Sequence, residues 1–234
     1  MEEQQTFEAE AADSYASAIR NSLPTYDSIA AIVQSYFRKH LQQESNLLIV
    51  GAGGGNELAA WGPSNPGWSF TGFDPSPEML AKAEQAAKKL GMTERTTLLN
   101  GLIADVPAAA KYDAASCLLV LHFVMSDAEK LELLKEVAGR LRPGAPFVLV
   151  AKCGNTKDAE FRRRLDIWKA HWVDKGCTPK ETDEMAEYVL EHLSIIPEER
   201  IVGLMEEAGF MDITRFVSTT VFGGWLCRRT GEAD

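Results

Sequence analysis

Leu47-Leu48-Ile49-Val50-Gly51-Ala52-Gly53-Gly54-Gly55-Asn56-Glu57-Leu58 is the stretch that decides the fold. Its first four residues are apolar on both faces, as suits a parallel strand covered by helices on either side. Glycine then recurs at Gly51, Gly53 and Gly55 before a helical stretch. Such a loop lets main-chain N–H groups approach a ligand closely, and the helix behind it turns its positive end toward the same point. The spacing excludes two familiar ligands. A G-x-G-x-x-G dinucleotide fingerprint would need glycine at position 56, where Asn56 stands, and no G-x-x-x-x-G-K-[ST] occurs. What remains is a nucleoside with no phosphate requirement.

A second strand follows in Phe70-Thr71-Gly72-Phe73-Asp74. It ends in a carboxylate, at the place where an acid accepts hydrogen bonds from ribose hydroxyls. The alternative for Asp74 is to cap the helix that begins at Ser76-Pro77. Both motifs together predict a ribose held at adjacent strand ends.

With these residues in place, the chain resembles a class I S-adenosylmethionine-dependent methyltransferase. The likeness is carried by Val50-Gly51-Ala52-Gly53-Gly54-Gly55 and by Gly72-Phe73-Asp74-Pro75-Ser76-Pro77-Glu78-Met79-Leu80. It continues in Tyr112-Asp113-Ala114-Ala115-Ser116-Cys117-Leu118-Leu119-Val120-Leu121-His122-Phe123 and in Leu141-Arg142-Pro143-Gly144-Ala145-Pro146-Phe147-Val148-Leu149-Val150, in the family's order over residues 45–153. Ile19 to Tyr26 and Glu206 to Phe210 further resemble the branch containing carboxy-S-adenosylmethionine synthases. That branch grips its extra carboxylate with an arginine, whereas Asp183-Glu184-Met185-Ala186-Glu187 is acidic and has none.

The resemblance implies S-adenosyl-L-methionine as cofactor, bound by Gly51, Ala52, Gly53, Gly55, Asp74, Pro75 and Met79 with its ribose hydroxyls on Asp74. Many relatives place an aspartate two residues past the third strand to accept from the adenine amino group. This chain has Gly101-Leu102-Ile103 there, so adenine is expected to rest on main chain and apolar contact, while Asp105 caps a helix or substitutes for the missing acid. Leu119 completes the expected cofactor wall. In this superfamily the N-terminal helices close over the cofactor, which would bring Tyr15 and Tyr26 near the sulfonium. The plainer alternative is that both tyrosines pack a helix pair.

The 234 residues are 45% hydrophobic and 25% charged, a balance suited to one α/β domain. A net charge of −10 disfavours nucleic acid, whose affinity comes largely from lysine and arginine at phosphates. No apolar run reaches the ~18 residues of a membrane span, and Met1-Glu2-Glu3-Gln4-Gln5 is acidic and polar, so a cytoplasmic protein is expected. Cys117, Cys153, Cys177 and Cys227 lack ligand spacing; no metal is expected, and Cys117 and Cys153 read as packing.

Along the chain, residues 1–44 read as N-terminal helices, with Ala31, Val33, Tyr36 and Phe37 on one face, and residues 45–153 as the cofactor-binding core. Strands at 96–100, 114–121 and 147–152 alternate with helices starting at Ser76-Pro77 and at the capping box Ser126 to Glu129. Residues 154–196 form an all-helical lid after the fifth strand, with Phe161, Leu165, Trp168 and Trp172 in one stripe and Met185, Val189 and Leu193 in another. Residues 197–234 supply a helix and an antiparallel strand pair joined by a short turn. The expected architecture is therefore a doubly wound, seven-stranded Rossmann-like α/β sheet with its last strand antiparallel.

In-line methyl transfer from a sulfonium needs alignment more than any universal catalytic group. For a phenol, amine or acidic carbon a nearby base helps, and His122, just past the fourth strand, is the best-placed histidine. Its alternative role is packing and hydrogen bonding. Trp168 and Trp172, on the lid, are candidates for the small-molecule acceptor site, the alternative being lid core. A homodimer is compatible with the composition.

Overall fold

The computed structural model describes residues 17–231. β1 (Ser45–Val50), β2 (Trp68–Asp74), β3 (Thr96–Asn100), β4 (Ala114–Leu118), β5 (Pro146–Lys152), β6 (Phe210–Thr219) and β7 (Phe222–Arg229) form one sheet in the order β3-β2-β1-β4-β5-β7-β6. The first five run parallel and β7 lies antiparallel to β5 and β6. The strand order reverses between β1 and β4, which opens a crevice at their carboxyl ends.

Beyond the helical residues 17–22, the described helices around the sheet are α1 (Tyr26–His40), α2 (Asn56–Trp61), α3 (Pro77–Lys89), α4 (Asp127–Arg140), α5 (Ala159–Asp174), α6 (Pro179–His192) and α7 (Glu198–Glu207). Local chemistry starts several of them. The Ser76 hydroxyl accepts from the Met79 N–H at 3.2 Å with Pro77 in the first turn, and Ser126 and Glu129 form the expected capping box.

Alternation along each strand divides the core in two. Leu47, Ile49, Phe70, Val148 and Val150 face α1, α2, α3 and the α5–α6 pair, while Leu48, Val50, Leu149 and Cys117 face α4 and α7. The helices after β5 therefore bury their stripe of Phe161, Leu165, Trp168 and Trp172 in the same cluster as Leu23, Tyr26 and Val33. The Trp168 indole N–H donates to the Ser22 carbonyl at 3.0 Å, tying the insertion to the leading segment.

Two expectations need correction. Ala31 is exposed, because the buried stripe of α1 runs through Tyr26, Ile29, Ala30, Val33 and Phe37, one position round from the face expected. The fourth strand stops at Leu118 and not at Leu121, since Leu119 adopts φ 63° and Leu121–Phe123 form a 3₁₀ turn. A non-glycine residue in this left-handed region costs about 1–2 kcal/mol, and the Leu119 N–H to Val150 carbonyl bond at 2.7 Å helps hold it. The helix expected from Thr6 begins outside the described residues, of which 17–22 are helical.

Candidate functional site

The glycine loop joins β1 to α2 with Gly51, Gly53 and Gly55 at φ 70°, 48° and 78°. A Cβ at Gly51 would overlap Val120 Cγ2, and one at Gly55 would lie 3.0 Å from Ala83 Cα. Around Gly53 and Gly54 the nearest side-chain atom is Met79 Cε, at 3.6 and 3.8 Å from such a Cβ. The loop is thus packed tightly at Gly51 and Gly55 and only in ordinary contact at Gly53 and Gly54, a cradle whose main chain a ligand can approach closely. Ala52 is buried inside, its N–H donating to the Phe73 carbonyl at 2.9 Å. At six residues α2 is short, so the cradle rests on the loop more than on a helix end.

Asp74 ends β2 beside this loop. One carboxylate oxygen accepts from the Gly53 N–H at 3.0 Å and the other from the Ser76 N–H at 3.0 Å. The residue therefore braces the glycine loop and starts α3 together, and each oxygen retains a further lone pair for a ribose hydroxyl. Pro75 is exposed next to it, and Met79 is half-buried between α3 and the loop.

On the adenine side, the Gly101 N–H donates to the Asp74 carbonyl at 3.1 Å. Asp105 turns back to accept from the Leu102 N–H at 2.8 Å, the capping role foreseen for it. It fills the space that a Cβ on Gly101 would need, and Gly101 itself sits at φ 149°. Leu102 is 61% exposed whereas Ile103 is buried, so of the apolar pair expected beside adenine only Leu102 presents its side chain.

His122 follows β4 and is buried. Its Nδ1 accepts from the Lys152 N–H at 3.2 Å, which places the imidazole proton on Nε2. Burial, reinforced by the charges of Lys152 and Lys130, holds its pKa well below the ordinary 6.5, so the ring is neutral at physiological pH. Lys130, itself fully buried, donates to the Val124 carbonyl and anchors the turn after His122. Leu119 is half-buried. Trp168 and Trp172 are buried edge to face, 6.0 Å between centroids, and Tyr26 lies beneath the Arg20 guanidinium at 5.6 Å. Tyr15 lies outside the described residues.

Two residues near the crevice escaped the sequence reading. Lys152 closes β5, and its signal was a charge ending the apolar run from Phe147. Glu57 sits in the first turn of α2 with almost no exposure. Burial pushes its carboxyl up to about 7, opposed by a hydrogen bond from its own backbone and reinforced by the charge of Asp74. A carboxyl raised in the fold lends stability that is complete below its unfolded value near 4.5 and is lost as pH rises through about 7. The difference is worth about 3 kcal/mol. Glu57→Gln should therefore gain on the native chain by about that amount between pH 5 and pH 8 in denaturant unfolding. Parallel pH profiles for the two proteins would contradict the assignment.

Among the described residues, no group of three or more His, Cys, Asp and Glu could hold a metal ion. Cys117 and Cys153 are buried, and burial pushes both thiols up to about 12, consistent with packing roles. No helix among them is long and apolar enough to cross a membrane.

Residues 48–147 match the methyltransferase domain family. No curated protein matches the chain in sequence. Among solved structures, a putative O-methyltransferase from Nostoc punctiforme superposes with TM-score 0.64 at 17% identity, covering 88% of this chain and 57% of that one. A SAM-dependent methyltransferase from Methanosarcina mazei gives 0.60 at 20% identity over 83% and 97%. A possible exported protein from Bordetella parapertussis gives 0.67 at 19% identity over 87% and 68%. At these identities the superpositions speak for the fold. The family match does not select the carboxy-S-adenosylmethionine synthase branch. Residues 48–147, which hold most of the four motifs quoted above, thus carry a methyltransferase domain on a sheet of order β3-β2-β1-β4-β5-β7-β6.

Proposed function

We propose that this enzyme methylates a small molecule held at the carboxyl ends of β4 and β5, beneath α5, α6 and the leading helices. The observation that carries the reading is the placement of the insertion: its apolar stripe packs with Leu23 and Tyr26 on the sheet face where Lys152 and Trp168 meet. When bound, S-adenosylmethionine supplies a methyl group already activated by its sulfonium. The chain's own work is then alignment. The glycine loop and Asp74 hold the cofactor, and Leu102 covers its base. His122, neutral and with Nδ1 engaged, offers an Nε2–H donor that orients an acceptor oxygen or nitrogen. It fits that positioning task better than removal of a proton in its present tautomer.

The test is incubation with S-adenosylmethionine and a panel of phenols, keto acids and small amines, read by mass spectrometry for a methylated product and S-adenosylhomocysteine together. Methylation of none of these classes would overturn the reading. His122→Gln should lower kcat by roughly tenfold, the scale of a lost orienting hydrogen bond, with S-adenosylhomocysteine affinity within about twofold of native. A parallel loss of cofactor affinity would place His122 on the wrong side of the crevice.

A further inference from the structure

Lys152 holds a cation that no acid among the described residues neutralises. It is the last residue of β5, on the face shared with Val148 and Val150, and its cross-strand partner is Phe222. Nζ lies 4.5 Å from the centroid of the Phe222 ring and 5.9 Å from that of Trp168 on α5. No hydrogen bond or ion pair engages it among the described residues. Of the elements around it, β7 and α5 bring these aromatic rings, and the turn after β4 brings the neutral His122, whose Nδ1 accepts from the Lys152 backbone N–H at 3.2 Å.

A half-buried ammonium with no counter-charge is costly, and contact with two ring faces recovers only part of its lost hydration. The strain shows in its acidity, for burial alone pushes Lys152 down to about 8. The chain carries 34 acidic residues and sets none of those described beside this one. Elsewhere Arg164 and Arg215 both contact Glu198, at 3.4 and 2.5 Å, and the buried Lys130 at least donates to the Val124 carbonyl. Packing alone would be better served by an apolar residue.

Resting on the reading above, we propose that the Lys152 ammonium binds a negatively charged oxygen group of the methyl acceptor, so that the preferred acceptors are acids. The ring faces of Phe222 and Trp168 beside it suit an acceptor with an apolar or aromatic body carrying that charge.

Calorimetric titration of the S-adenosylhomocysteine-loaded protein with 4-hydroxybenzoate and with its neutral analogue 4-hydroxybenzamide tests this. The acid is expected to bind the native protein at least 10-fold more tightly than the amide. Lys152→Arg should keep that preference, and Lys152→Met and Lys152→Gln should bring the ratio near one with S-adenosylhomocysteine affinity unchanged. Lys152→Met should melt no lower than native, whereas a purely structural cation would lower the midpoint when removed. Equal binding of acid and amide by the native protein, binding of neither, or an acid preference that survives in Lys152→Met would overturn the proposal. Failure of S-adenosylhomocysteine to bind the native chain would instead sink the cofactor reading, and the same probes titrated into the unloaded protein would still decide the role of Lys152.

Discussion

Gly51→Val is expected to abolish measurable S-adenosylhomocysteine binding and to lower the melting midpoint by roughly 10 °C. The φ of 70° at this position puts a β-branched residue in the left-handed region, and its Cβ would overlap Val120 Cγ2. The dihedral costs about 1–2 kcal/mol and the overpacking about 1–3 kcal/mol. A total near 3 kcal/mol corresponds to roughly 6–12 °C for a domain of this length. The two contributions separate in a double-mutant cycle, because Val120→Ala relieves the overlap but not the dihedral. Gly51→Ala should therefore be less damaging beside Val120→Ala than alone, without returning to native. If Gly51→Val bound the cofactor product normally, the loop would not be the cradle described.

Asp74→Ala should weaken S-adenosylhomocysteine by roughly 10- to 100-fold in calorimetry. Hydrogen bonds to a charged acceptor are worth about 1.5–3 kcal/mol each, and 1.4 kcal/mol is tenfold. Part of the loss arises without any ribose, because the carboxylate also accepts from Gly53 and Ser76 and so keeps the glycine loop against the end of β2. Asp74→Asn is the informative companion. Its amide retains an acceptor oxygen for one of those N–H groups, so it should fall between native and alanine. An unchanged affinity in Asp74→Ala would remove Asp74 from the cofactor site.

The sequence by itself determined the parallel core, the crevice edge and the cofactor class, because each is written in contiguous residues. Leu47 to Val50 are apolar on both faces, three glycines alternate, Asp74 closes the next strand, and Ser76-Pro77 and Ser126 to Glu129 start helices through bonds spanning three residues. Such features depend on local backbone preference and a short period, which a single chain displays directly. The antiparallel end of the sheet was legible for the same reason, since the short turn before Phe222 leaves no length for a crossover. Tertiary structure alone decided the ionisation and the orientation of the site. In the sequence Lys152 is only the residue that ends a strand; Phe222, 70 positions away and facing it across the sheet, and Trp168 of the insertion surround its ammonium with no acid among the described residues. Nothing in the spacing around Glu57 shows that the core closes over it, and the spacing that puts His122 just past the fourth strand does not show that its Nδ1 accepts from the Lys152 backbone N–H. Ala31 and the early end of β4 were misplaced because a helix rotated by one position, or a single residue at positive φ, changes little in the pattern of apolar residues. A pKa and a facing direction belong to groups that meet through space, and desolvation by distant parts of the chain leaves no trace in local spacing.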